Sequence, residues 1–92
     1  MNKSELVAGL TEETSLPLRK SEEIVNAVLE TLFDSLVEGN RIEIRGFGSF
    51  EVREYPGYTG RNPKTGQRIQ VEGKRLPFFK AGKELRNKVN QA

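Results

Sequence analysis

With 92 residues and a mass of 10.4 kDa, the chain is one small domain that would bury only about 60–65% of its unfolded surface, which leaves a lone monomer marginal. It contains no cysteine and no histidine. That removes disulfides, thiolate nucleophiles, Ser–His and Cys–His pairs, imidazole metal ligands and cysteine zinc sites, and with them most enzyme classes.

The first predicted element is a helix over residues 2–14. Asn2 is placed to cap it, with Glu5 three residues on as in a capping box, and Leu6, Val7, Leu10 and Thr14 share one face. Ser15-Leu16-Pro17 interrupts the pattern, because proline disfavours helix at the residue before it and suits the first turn of the next. A second helix over 18–38 carries Ile24, Val25, Val28, Leu29, Leu32, Phe33 and Leu36 at helical spacing, a stripe wide enough for a core. Gly39-Asn40 stops it. At residue 41 the period changes from 3.6 to 2. Arg41-Ile42-Glu43-Ile44-Arg45 and Ser49 to Tyr55 alternate apolar with polar side chains around the turn Gly46-Phe47-Gly48, so 41–55 reads as a hairpin. Pro56-Gly57 breaks it. Gly60-Arg61-Asn62-Pro63-Lys64-Thr65-Gly66 is turn chemistry, Arg68 to Glu72 alternates again, and Leu76 to Lys80 returns to the core. A short helix runs from Gly82 onward, with Leu85 and Val89 on one face. No apolar run approaches the ~18 residues of a membrane span, and the first five residues lack the apolar stretch of a secretory signal.

The formal charge of +2 hides a division. Residues 1–40 carry three basic side chains against eight acidic ones, a net of −5, and residues 41–92 carry twelve against five, a net of +7. That is the pattern of a polyanion-binding face with a compensated back. Residues 53–75 read as two strands joined by a polar tip, a ribbon too thin to be stable alone in water and so in need of a partner that orders it; a long floppy loop is the competing reading. Ten basic groups, Arg53, Arg61, Lys64, Arg68, Lys74, Arg75, Lys80, Lys83, Arg86 and Lys88, follow the ribbon and its return, as a track for phosphates would. Pro63, rigid and without an N–H donor, stands at the cationic tip, where it can wedge between base pairs from the minor groove; a plain tight turn is the competing reading. Ala81-Gly82-Lys83 opens a helix whose free N–H groups could hold an anion, although an ordinary surface lysine is the commoner explanation of Lys83. Phe47, Phe50, Phe78 and Phe79 suit core or subunit packing better than base stacking. Gly46-Phe47-Gly48 is no dinucleotide fingerprint, since it joins two strands, and the tip lacks the glycine before lysine of a P-loop.

Three segments, Arg45 to Phe50, Gly60 to Gly66 and Pro77 to Lys83, resemble the signature segments of the bacterial HU / integration host factor (IHF) family, and the resemblance covers the whole chain. It implies an α+β fold: a helix-helix base, an antiparallel sheet with a long protruding ribbon arm, a short C-terminal helix, and an intertwined dimer. In that frame residues 1–39 are the helical dimerisation part, 40–81 the sheet with an arm over about 54–75, and 82–92 the last helix. The resemblance also implies double-stranded DNA as partner, gripped in the minor groove with Pro63 intercalating and Arg61, Asn62 and Lys64 beside it. Lys3, Arg45, Arg53, Arg68, Lys74, Arg75, Lys80, Lys83 and Arg86 would line the saddle and arm, and Phe47, Phe50 and Phe79 the dimer core. No catalysis, cofactor, metal or membrane is implied, and the implied location is the nucleoid of the bacterial cytoplasm.

Departures from the family pattern carry information. Tyr55, Pro56, Gly57, Tyr58 and Thr59 stand where HU arms usually carry several basic residues, which implies weaker or less salt-sensitive binding, or packing of the tyrosines on bases and sugars. Ala81 replaces the usual proline. Arg41 to Arg45 and Glu72-Gly73-Lys74 look more like the IHF beta subunit, which pairs with a different chain and reads particular sites through an arginine matching Arg45. The sequence is compatible with a non-specific homodimer, a site-reading subunit of a heterodimer, or a protein-interaction module.

Overall fold

The computed structural model describes residues 1–91. Helix α1 (Lys3–Thr14) begins where Asn2 accepts the Glu5 backbone N–H at 2.9 Å. It ends at Ser15, which takes a left-handed conformation and donates its N–H to the Thr11 carbonyl. Pro17 sits one residue before α2 (Leu18–Val37) rather than inside its first turn. At the other end Gly39 has φ 85°, and Gly39 N–H and Asn40 N–H donate to the Leu36 and Ser35 carbonyls at 2.9 and 3.0 Å. This is the double bond of a Schellman close, and only a residue free of a Cβ adopts that φ without cost.

The sheet of the body has the order β1 (Ile42–Ile44), β2 (Gly48–Tyr55), β5 (Lys74–Ala81), all antiparallel. Strands β3 (Tyr58–Arg61) and β4 (Arg68–Val71) pair only with each other. The arm is thus a separate two-stranded sheet, joined to the body through Pro56-Gly57 on one side and Glu72-Gly73 on the other. Gly57 and Gly73 face each other at that junction. A Cβ on Gly57 would stand 2.8 Å from the Val71 carbonyl oxygen and 3.0 Å from the Gly73 nitrogen. Helix α3 (Lys83–Gln91) closes the chain; its entry is tied to the β1–β2 turn by Gly82 N–H donating to the Phe47 carbonyl at 2.9 Å.

Side chains directly opposite in an antiparallel pair share a face. Register places Ile42, Phe50, Val52, Phe79 and Pro77 on the inner face, toward α2. There Phe79 packs on Phe50 and Phe47, with ring centroids 4.8 and 5.5 Å apart.

The interior of one chain is minimal. Val7 and Val25 are its buried apolar residues, joined by Ser21, whose hydroxyl accepts from Thr11 Oγ1 at 2.7 Å. The apolar stripe of α2 is present as the sequence predicts, but most of it is uncovered: Phe33 is 68% exposed and Val28 53%. The radius of gyration is 19.4 Å, against about 12 Å for a compact chain of this length. The difference comes from an arm that lengthens the molecule to 61 Å.

Candidate nucleic-acid interface

The arm tip is built by Asn62. Its N–H donates to the Gln67 carbonyl at 2.8 Å, its carbonyl accepts from Gly66 N–H at 2.7 Å, and its side-chain oxygen accepts from Lys64 N–H at 2.9 Å. Gly66 has φ 73°, the left-handed value that favours glycine in such a turn. Pro63 and Lys64 are thereby held exposed at the apex. Asn62, expected from the sequence as a groove contact, has its side-chain oxygen committed to shaping the tip.

Along β3 and β4 the register pairs Arg61 directly with Arg68. Like charges in that position repel, and among the described residues neither has an acidic partner. Residues 55–71 contain no Asp or Glu. An anion between the two guanidiniums would relieve the repulsion.

The outer face of the body sheet carries Glu43, Ser49, Glu51, Arg53 and Tyr55, opposite Lys80, Phe78, Leu76 and Lys74. Arg41, Arg45, Ser49, Lys80 and Gly82 line a shallow depression there. Arg45 lies exposed in the β1–β2 turn, and Lys83 and Arg86 stand exposed on α3. Lys83 occupies the first position of its helix, where a cation is unfavourable unless an anion is near. Among the described residues Lys3, Arg45, Arg61, Lys64, Arg68, Lys74, Lys80, Lys83 and Arg86 make no ion pair.

Two basic residues expected on this surface are otherwise engaged. Arg53 lies on the outer face, but its guanidinium carbon stands over Phe78, 3.5 Å from the ring centroid, and its Nε is 3.0 Å from Glu51 Oε1. Arg75 is on the opposite face of the sheet, 3.9 Å from Glu54 and beside Gly39 at the C-terminal end of α2, where a cation complements the helix dipole. The structure therefore separates Arg75 from the outer-face cations, because Arg75 and Lys74 point to opposite sides of a pleated strand. Lys3 also stands apart, beside Leu18 and Glu22 at the start of α2.

Sequence reasoning missed Arg41 and Glu51. Glu51 holds Arg41 at 3.4 Å through one oxygen and Arg53 through the other. The signal was available in the alternation, since 41 and 51 share the parity of the polar face, but the cross-strand pairing needs the register.

The model of the bacterial DNA-binding protein family matches residues 1–90. Over 91 residues the chain is 48% identical to the integration host factor beta subunit of Escherichia coli O139:H28, covering 98% of this chain and 97% of that one. The same subunit of Citrobacter koseri gives the same figures. Among solved structures it is similar to an HU–DNA cocrystal structure from Anabaena, with a TM-score of 0.85 and 39% identity over 100% of both chains. It is also similar to HU from Thermotoga maritima, with a TM-score of 0.69 and 30% identity over 97% of this chain and 98% of that one.

Proposed function

The chain belongs to the bacterial DNA-binding protein family, in its HU/IHF branch, and we propose that it acts without catalysis, as a dimer whose two arms enter the minor groove and bend double-stranded DNA. The observation that carries this reading is the arm: a ribbon that projects from the body with three cations, no carboxylate and a proline at its apex. Minor-groove bending is the mode that the HU/IHF family itself exemplifies. Pro63 partly unstacks a base step at a cost of a few kcal/mol, and the bend brings phosphates to the saddle cations. Pyrimidine–purine steps, which kink most readily, are the favoured points of entry.

The second copy, or a related subunit, is called for by the base. Phe33, Val28, Leu29 and Val37 lie uncovered on α2, and among the described residues Val7 and Val25 are the buried apolar ones, a core far too small for an independent domain. Phe50 and Phe79 are paired on the inner face of the sheet with Phe47 packed on Phe79, and the three form the centre of the proposed dimer. Among the described residues no helix is long and apolar enough to cross a membrane, and the proposed place of action is the nucleoid.

The test is sedimentation of the pure chain with and without a nicked duplex, followed by fluorescence transfer across the duplex ends. The reading predicts a dimer alone, a dimer–DNA complex, and a bend that Pro63→Ala reduces more than it reduces affinity. A monomer that leaves the duplex straight overturns it.

A second reading is favoured by the 48% identity to integration host factor beta subunits and by the exposed position of Arg45 in the β1–β2 turn. In it the chain reads particular sites, as one subunit of a heterodimer. Selection from a random-sequence library decides: a recovered motif lost on Arg45→Ala supports it, and unselective recovery supports the homodimer.

A further inference from the structure

The arm has two chemically different faces. Register puts Tyr58 opposite Val71 and Gly60 opposite Ile69 on one face, and Thr59 opposite Gln70 and Arg61 opposite Arg68 on the other. The ring of Tyr58 reaches toward Gly60, with Cε2 3.6 Å from where a Cβ would stand, an ordinary van der Waals distance. Tyr58 is 63% exposed and Ile69 46%, an apolar strip on a ribbon with nothing else to pack on. Tyr55, the other tyrosine, belongs to the body sheet, opposite Lys74.

We propose that Tyr58, with Ile69 and Val71, forms a contact subsite for the deoxyribose wall of the DNA groove, and that this face of the arm adds affinity without releasing counterions. The proposal rests on the DNA-binding reading above and adds to it a ligand chemistry that the basic track does not supply. The occupant follows from charge complementarity. The same ribbon carries Arg61, Lys64 and Arg68 and no acid, so what it lies along is a polyanion, and the apolar part of a nucleic-acid backbone is its sugar. Sugars form the groove walls and phosphates the rim. An arm with its ring face on the wall leaves two flexible guanidiniums to reach over the edge. Tyrosine suits this place because it offers a large rigid surface with few rotatable bonds to freeze.

Salt dependence separates this role from a charge contact. Each phosphate neutralised contributes about −0.9 to the slope of log K against log salt. Tyr58→Ala is expected to weaken binding about tenfold, ~1.4 kcal/mol, by the same factor at low and high salt and equally on A·T-rich and G·C-rich duplexes. Arg61→Ala and Arg68→Ala are each expected to flatten the slope by about 0.9. Tyr58→Phe keeps wild-type affinity, and Tyr58→Lys steepens the slope while losing affinity at high salt. The chain has no tryptophan and two tyrosines; in Tyr55→Phe the remaining tyrosine emission reports residue 58 alone and is expected to change when duplex is added. If wild type fails to bind duplex, the DNA reading itself falls. If wild type binds but Tyr58→Ala matches it, or Tyr58→Ala changes the slope as the arginine variants do, or the emission is unmoved, only the sugar subsite is overturned. Circular dichroism of each variant excludes a collapsed fold, and Tyr58→Phe guards the conclusion should alanine disturb the ribbon.

Discussion

Phe33→Ala tests the dimer most directly. Phe33 lies near the C-terminal end of α2 and is 68% exposed in the single chain, with Leu36, Val37, Val52 and Pro77 around an open apolar groove beside it. A phenylalanine has roughly 150–250 Å² to bury. Two-thirds of that is about 100–170 Å² per chain, or about 2.5–4 kcal/mol at ~25 cal/mol per Å². Alanine retains part of it, so the loss is about 2 kcal/mol per chain and about 4 kcal/mol for a symmetric pair, near a thousandfold in the dissociation constant. Sedimentation across a concentration series reads this constant. Glu30→Ala, an exposed change on the same helix, is the control and should leave it unaltered. Because Phe33 touches so little of its own chain, the substitution would remove burial at the proposed interface rather than an internal contact. A dimer constant within about threefold of wild type would refute the assignment of this stripe to the interface.

Other perturbations probe the rest of the scheme. Gly48→Ala would set a Cβ 2.5 Å from the Lys80 carbonyl oxygen and 2.7 Å from the Phe79 ring, prising β2 from β5; urea unfolding should show a loss of about 2–3 kcal/mol. Asn62→Ala removes the acceptor for Lys64 N–H and loosens the tip by about 1 kcal/mol, and fluorescence transfer should report a smaller bend although no charge has gone. Glu51→Gln frees Arg53 and leaves Arg41 paired with Glu43 alone, at 3.4 Å; titration should show tighter DNA binding at low salt and a slope steeper by about one. Exposed pairs of this kind contribute about 0–1 kcal/mol to folding, so the thermal midpoint should barely move.

The elements with strong periodicity were legible in the sequence. The change of period at residue 41, the stop at Gly39-Asn40 and the cap at Asn2 all appear as hydrogen-bonded features, because each rests on local chemistry. What the sequence left open depends on register. Phe78 and Phe79 are neighbours in the chain, yet one lies under Arg53 on the outer face and the other packs on Phe50 inside. Lys74 and Arg75 divide in the same way. Composition along the ribbon suggested a uniform cationic track, whereas pairing sorts Tyr58, Ile69 and Val71 from Arg61 and Arg68. The break between the two sheets was signalled by Pro56-Gly57, but its counterpart at Gly73 reads as an ordinary basic turn until the two glycines are seen face to face.

That break has a mechanical consequence for the proposed bending. An arm that enters a groove must adjust its angle to DNA whose curvature it is itself creating, while its tip must keep shape to wedge a base step. The hydrogen-bond ladder is continuous through β2 and β5 as far as Tyr55 and Lys74, stops for two residues on each strand, and resumes at Tyr58 and Val71. Bending is easiest where a ladder is interrupted, and the close approach of Gly57 and Gly73 leaves no side chain between the strands to resist it. At the far end the three hydrogen bonds of Asn62 oppose any such yielding. In the proposed mechanism a compliant root and a stiff tip would let the protein meet undistorted duplex first and concentrate the distortion at Pro63. Gly73→Val should therefore slow formation of the bent complex in stopped-flow fluorescence transfer more than it changes first encounter with DNA. Equal slowing of both steps would place the compliance elsewhere.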